Sequence, residues 1–311
     1  NSDKDYLTTL LQDSLSDAGR EVTITGFQGA LSSQATIEIL TIADDQGIWL
    51  RLEGVVLDWS QSSLLSGELV INELSAEGLF VSRLPENKGS ALPAAEASGF
   101  SLPDLPVSVD IDRIAIDKID LDAGVLGQAV EGRLEASMSL AGGAGLAEMD
   151  LTRTGSGPSG AITLRASYDN ATRQLDLDLA AGEGDGGLVA VALALPGAPA
   201  TDFLLSGSGP IEAFDASLSL ATDGQERLTG TVTLSGDTDG GHRLKADLTG
   251  NLAPLFLPAY ADFLGSHLVV ALDGNRSASG RLTLDRLTLQ ARSLRVEGSA
   301  VIAADGLPED I

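Results

Sequence analysis

Leu50, Leu52, Val55 and Leu57 stand at spacings of two, three and two. The same pattern returns at Leu69/Ile71/Leu74/Ala76, Ile114/Ile116/Ile119/Leu121 and Leu282/Leu284/Leu287/Leu289. A spacing of two puts side chains on one face of a strand, whereas the central three would turn the second half to the opposite face. A bulge or corner that absorbs the extra residue keeps both halves on one side. The pattern therefore predicts strands that curl around a continuous apolar surface, a gutter with an apolar concave face.

Plain alternation predicts more strands: Val22/Ile24, Ile37/Ile39, Ile48/Leu50/Leu52, Leu134/Ala136/Met138/Leu140, Ile162/Leu164/Ala166/Tyr168, Leu175/Leu177/Leu179, Leu228/Val232/Leu234 and Leu294/Val296/Ala300/Ile302, with turn residues between them. Helical spacing appears in residues 1–20, where Tyr6, Leu7, Leu10, Leu11 and Leu15 form an amphipathic stripe after Ser2 and Asp3, and Gly19 supplies a stop. That helix is expected to cap the first strands. A first sheet segment over 21–84 is followed by a Pro-, Ala- and Ser-rich linker or excursion over 85–106, containing Pro85, Pro93, Pro103 and Pro106, and the sheet resumes over 107–311. Within it, 252–265 reads as a short helical insertion, with Pro258 at its first turn and Gly265 at its stop. It would be either an edge cover or a lid.

Charge narrows the partners. The formal charge of −26, from 45 acidic against 19 basic residues, argues against nucleic acid. Hydrophobic residues make up 43% of the chain but aromatics only 4%, so the apolar surface is aliphatic, which favours an open smooth wall over a jigsaw core. Cysteine is absent, removing disulfides, thiol nucleophiles and thiolate metal sites. No apolar run reaches ~18 residues, so no spanning helix or signal peptide is expected. The chain begins at Asn1 without Met and stops just after a strand, and reads as a fragment of a longer protein.

Candidates for chemistry are few. Gly155/Gly157/Gly160 and Gly182/Gly184/Gly187 match the dinucleotide spacing. The first contains Pro158 and leads into a strand, and the second places Glu183 and Asp185 where a pyrophosphate would sit, so both read as hairpin turns. The two histidines, His242 in a turn and His267 at a strand start, read as solvated, and no nucleophile elbow accompanies them. Acidic turns such as Asp44-Asp45, Asp223-Gly224 and Asp237-Thr238-Asp239-Gly240 lack the closing carboxylate of a calcium loop and read as turn chemistry. Asn170-Ala-Thr172 and Asn275-Arg-Ser277 match the glycosylation pattern. No enzyme, cofactor or metal site is expected.

The stretches Gly26-Phe27-Gln28-Gly29-Ala30-Leu31, Leu40-Thr41-Ile42-Ala43-Asp44-Asp45-Gln46-Gly47-Ile48-Trp49-Leu50, Leu57-Asp58-Trp59, Ser63-Leu64-Leu65-Ser66-Gly67 and Ile71-Asn72-Glu73-Leu74 resemble the N-terminal periplasmic part of the TamB family. The family is a subunit of the translocation and assembly module, related to AsmA-like and bridge-like lipid transfer proteins. Leu105-Pro106-Val107 leading into Ile111-Asp112-Arg113-Ile114 extends the resemblance. It implies an elongated β-taco, an open solenoid-like sheet, with an inner-membrane anchor upstream of Asn1. It also implies a TamA-like outer-membrane barrel as partner, reached through a C-terminal region not in these residues.

An apolar gutter suits phospholipid acyl chains or unfolded outer-membrane protein strands as cargo. Exposing on the order of 30 methylenes to water costs ~0.8 kcal/mol each, about 20 kcal/mol in all, and a greasy wall removes most of that. About twenty strands at ~4.8 Å would carry it on the order of 100 Å. The expected lining is Leu50, Leu52, Leu69, Ile71, Ile114, Ile116, Ile119, Leu121, Leu282, Leu284, Leu287 and Leu289. The competing expectation is an exported structural or adhesive β-solenoid in which each apolar stripe meets another in a closed core.

Overall fold

The structure is a computed structural model. It describes residues 21–29, 32–85, 101–103, 105–192, 195–236, 241–255, 265–277, 281–302 and 308–310. The expected helix over 1–20 and most of the excursion at 85–106 lie outside the described residues. So does most of the 252–265 insertion, of which only a 3-10 turn, Ala253–Leu255, is described.

The described chain is mostly β and forms two compact units, 1–90 with 104–161, and 91–103 with 162–311. Unit 1 holds β1 (Glu21–Thr25), β2 (Gln34–Asp44), β3 (Gly47–Ser60), β4 (Glu68–Val81), β5 (Ser108–Leu121), β6 (Val130–Ala141) and β7 (Ala144–Thr154). They pair in chain order, antiparallel throughout except for the parallel pair β4 and β5. Among the described residues no pairing closes β1 onto β7. The sheet of unit 1 is therefore mixed and open.

The parallel pair was not legible in the sequence. Parallel strands need a connection of a dozen residues or more. The Pro-rich excursion provides it, joining two strands that are direct neighbours.

β8 (Gly160–Asp169) begins at the boundary between the units. It is followed by β9 (Gln174–Glu183), β10 (Thr201–Pro210), β11 (Ala213–Thr222), β12 (Gln225–Gly236), β13 (His242–Gly250), β14 (Leu268–Arg276), β15 (Leu282–Gln290), β16 (Arg295–Ile302) and β17 (Pro308–Asp310). From β9 to β17 each strand pairs antiparallel with the next. Tight hairpins make this possible. Between Thr222 and Gln225, Asp223 (φ 50°) and Gly224 (φ 69°) form a two-residue turn of the twist that suits a hairpin, so this acidic pair serves the turn.

The extra residues of the 2-3-2 pattern sit in the ladders. β15 shifts register between Leu284 and Leu287 against β16, and β5 shifts between Ile116 and Ile119 against β6. β4 pairs Glu73 with Asp58 but Ile71 with Trp59, so Asn72 is its surplus residue. At Leu52/Val55 there is no register shift, because β2 and β4 carry a matching three-residue spacing at Ile37/Leu40 and Ala76/Leu79. Gly54 takes up the turn there at φ 59°.

β4 and β5 extend the pattern further than expected. Leu69, Ile71, Leu74, Ala76, Leu79 and Val81 face Val109, Ile111, Ile114, Ile116, Ile119 and Leu121, with the surplus residues in phase. Strand β6, apolar or glycine at every second position from Val130 to Leu140, then meets both irregularities as register shifts.

Candidate functional site: two-faced sheets

Because the surplus residues are absorbed, apolar side chains of unit 1 line up in rows that each cross three to six of its seven strands, the second of them meeting Arg153 on β7. One row runs Val22, Ile42, Leu50, Val81, Leu121 and Val130. The next runs Ile24, Leu40, Leu52, Leu79, Ile119 and Gly132. Further along lie Ala76, Ile116, Leu134 and Leu151, then Leu57, Leu74, Ile114, Ala136 and Met149, then Trp59, Ile71, Ile111 and Met138. Leu69, Val109 and Leu140 form one further row. All eight expected lining residues of unit 1 fall in these rows.

Unit 2 repeats the arrangement. Leu179, Leu205, Leu218, Gly230, Leu248, Val270, Leu289 and Val296 form one row, and Leu177, Gly207, Ala216, Val232, Ala246, Leu272, Leu287 and Gly298 the next. Leu284 lies in a third with Leu234, Leu244 and Ala300. Leu282 is at the margin, 41% exposed, between Arg276 and Ile302.

The alternate positions are mainly polar, with Ile39, Val56, Val70 and Ala115 as apolar exceptions in unit 1. In unit 1 Ser137 faces Glu148, Glu135 faces Asp150, and Arg113 lies 3.3 Å from Glu73 and 3.8 Å from Glu135. Arg51 and Lys118 both stand over the Phe80 ring on this side, at 5.1 and 5.6 Å. In unit 2 Asp178, Ser206, Ser217, Thr231 and Asp247 form a row, and Arg243 donates two bonds of 2.7 Å to Asp273. That guanidinium holds the Asp273 carboxyl below its ordinary 3.8.

Burial separates the apolar rows from an ordinary core. The buried apolar residues on the rows of unit 1 are Val22, Ile24, Ala76, Ile119 and Val130; Leu50, Leu52, Leu69, Ile71, Ile114, Ile116 and Leu121 are half-buried. Leu284, Leu287 and Leu289 are half-buried as well. Within each unit the strands pack mainly on their ladder neighbours, and among the described residues no second sheet or long helix lies over the rows.

Other candidates resolve differently from the expectation. Gly182/Gly184/Gly187 is not a plain hairpin turn: a short helix, Leu188–Ala192, follows it before β10. The Glu183 carboxylate accepts the Val189 N–H at 2.8 Å and Asp185 accepts the Ala200 N–H at 3.0 Å. The Glu183 carboxylate thus occupies a donor that a phosphate at this helix start would need, while Asp185 ties the loop to the start of β10. His242 opens β13 and is half-buried with Nδ1 enclosed, whereas the sequence placed it in a solvated turn. Its row neighbour Gly236 has no side chain to displace it toward water. Among the described residues no three potential ligands gather as a metal set.

Asn170 of the first glycosylation pattern has a structural task. Its side-chain amide donates to Leu102 O and its Oδ1 accepts the Leu102 N–H, both at 2.8 Å, which ties the end of the excursion to the β8–β9 turn. The Thr172 N–H, with its hydroxyl, bonds Asp169 Oδ1 and lowers that carboxyl's pKa. Asn170→Ala removes both bonds to Leu102, a loss of about 1–2 kcal/mol of local stability. Hydrogen exchange at the Leu102 amide should accelerate about tenfold, while β11 and β12 keep their protection. No protein-family model, curated protein or solved structure matches the chain.

Proposed function

We propose that this chain is the periplasmic part of an inner-membrane-anchored, TamB-like protein whose apolar sheet faces carry phospholipid acyl chains between membranes. The observation that supports it is the set of half-exposed aliphatic rows spanning the strands of each unit. A closed solenoid would bury those rows in its own interior. Leaving aliphatic surface wet costs ~25 cal/mol per Å², and acyl chains are the partner that recovers it without needing directional contacts.

On this reading the bulges at Asn72, in β5 and in β15 bend each sheet toward its apolar side, giving a curled wall with polar groups outside. Headgroups stay in water at the margin. Assistance to outer-membrane protein assembly with a TamA-like barrel, through residues beyond these, belongs to the same proposal and rests on the family resemblance. No reaction is catalysed.

Photo-crosslinkers at Ile116 and Leu287 should capture phospholipid in an envelope preparation, and crosslinkers at Glu135 and Thr288 on the opposite faces should not. Capture of extended outer-membrane protein segments instead of lipid would transfer the role to chaperoning. Equal labelling from both faces would remove the reading.

A further inference from the structure

One pocket of unit 2 differs in chemistry from the rest of this acidic chain. Ser266, His267, Gln290 and Arg292, all exposed, line an open depression of about 690 Å³ together with Val269 and Ala291, and among the described residues no carboxylate stands in its wall. The charge balance reverses locally too. Residues 241–302 carry seven Lys and Arg against five Asp and Glu, in a chain whose net charge is −26.

The backbone fixes where Arg292 begins. Val269 pairs with Gln290 across β14 and β15, and the Ala291 N–H donates to Leu294 O at 2.7 Å, closing the turn that carries Arg292. Gly265 adopts φ 69° beneath it, and a Cβ added there would stand 2.7 Å from Arg292 Cβ. The stem of Arg292 is therefore pressed against a glycine that leaves room for it.

Neighbouring arginines answer to carboxylates: Arg243 bonds Asp273 and Arg295 bonds Glu297, while Arg286 adds to the field on Asp273. Among the described residues, no hydrogen bond or ion pair engages the side chains of Ser266, His267, Gln290 or Arg292.

We infer that this pocket binds a phosphate-type oxyanion. The planar guanidinium of Arg292 offers two parallel donors to two phosphate oxygens, and the hydroxyl, imidazole and amide supply further donors around a tetrahedral group. The depression is open, so a substituent on the phosphate has room toward solvent, and the ligand class proposed is a phosphate ester. This ester is either soluble or the headgroup of a lipid. Gln290 lies on the polar side of the sheet, so the inference stands apart from the acyl-chain reading.

The test is titration of the 311-residue chain with glycerol 3-phosphate by calorimetry, and co-flotation with phosphatidylglycerol vesicles against phosphatidylcholine vesicles. Arg292→Ala and His267→Ala together should weaken binding of the soluble ester by about tenfold or more. Arg292→Lys should recover part of the loss, and Arg286→Ala should leave affinity unchanged; circular dichroism identifies any variant that fails to fold. If vesicle flotation falls in parallel, the source is a lipid headgroup. If only the soluble ester is affected, the ligand is a free phosphate ester. Absence of binding to both probes overturns the inference, as does an equal loss in Arg286→Ala, which would reduce it to diffuse charge.

Discussion

Ile116→Arg and Leu284→Arg, each in an otherwise unchanged chain, will fold and will bind a fluorescent long-chain phospholipid between tenfold and a hundredfold more weakly. Ile116 faces Ala76 and Leu134, and Leu284 faces Gly274 and Ala300, within the aliphatic rows of their units. Both are half-buried, so an arginine can turn its guanidinium outward and the ladder bonds survive. An acyl chain lying across that position would instead meet a charge, and an arginine amid hydrocarbon costs ~2.5–3.5 kcal/mol on insertion scales. Ser137→Arg adds the same charge on the opposite face, where Ser137 pairs with Glu148, and should bind as wild type. Unchanged affinity in folded Ile116→Arg and Leu284→Arg would place the lipid elsewhere.

Gly230→Ala will lower the midpoint of the unfolding transition that includes β12 and β13, with a loss of about 2–4 kcal/mol, whereas Gly298→Ala will leave it within ~0.5 kcal/mol. Both glycines stand in the aliphatic rows of unit 2. A Cβ at Gly230 would lie 2.0 Å from Asp247 O and 2.8 Å from Leu248 Cα, so backbone of the paired strand would have to move. At Gly298 nothing lies within 4 Å of the added carbon. Chemical denaturation followed by circular dichroism compares the two directly. Equal costs would mean that close strand approach is not the reason for glycine in the row.

Those glycines also explain what the sequence concealed. Glycine in a pattern reads as a turn, so β10, which ends Ser206-Gly207-Ser208-Gly209-Pro210, was not recognisable as a strand. Yet Gly207 lies between Leu177 and Ala216 in a full ladder. The surplus residues in β4, β5 and β15 were legible because the flanking positions are Leu and Ile. The second irregularity of β4 was not, since Leu79, Phe80 and Val81 form an unbroken apolar run in which only Phe80 belongs to the polar face beside Arg51 and Lys118.

Strand direction was hidden for a different reason. Composition of the excursion says that it is not a strand, and it carries no sign of whether the chain returns parallel or antiparallel. The capping of the helix at Leu188–Ala192 was half visible: Glu183 and Asp185 were expected to repel an anion, and Glu183 bonds the helical Val189 N–H while Asp185 bonds Ala200 N–H ahead of β10. The helix itself, five residues long, is too short to show a period.

Native mass spectrometry of the chain purified in mild conditions from an envelope extract decides whether lipid lies on these sheets. The wild-type protein should retain phospholipid and release it to a short-chain detergent, and the Ile116→Arg, Leu284→Arg double variant should be depleted of it. A wild-type chain that emerges lipid-free, or a double variant that retains as much lipid as wild type, would contradict the proposed lipid role.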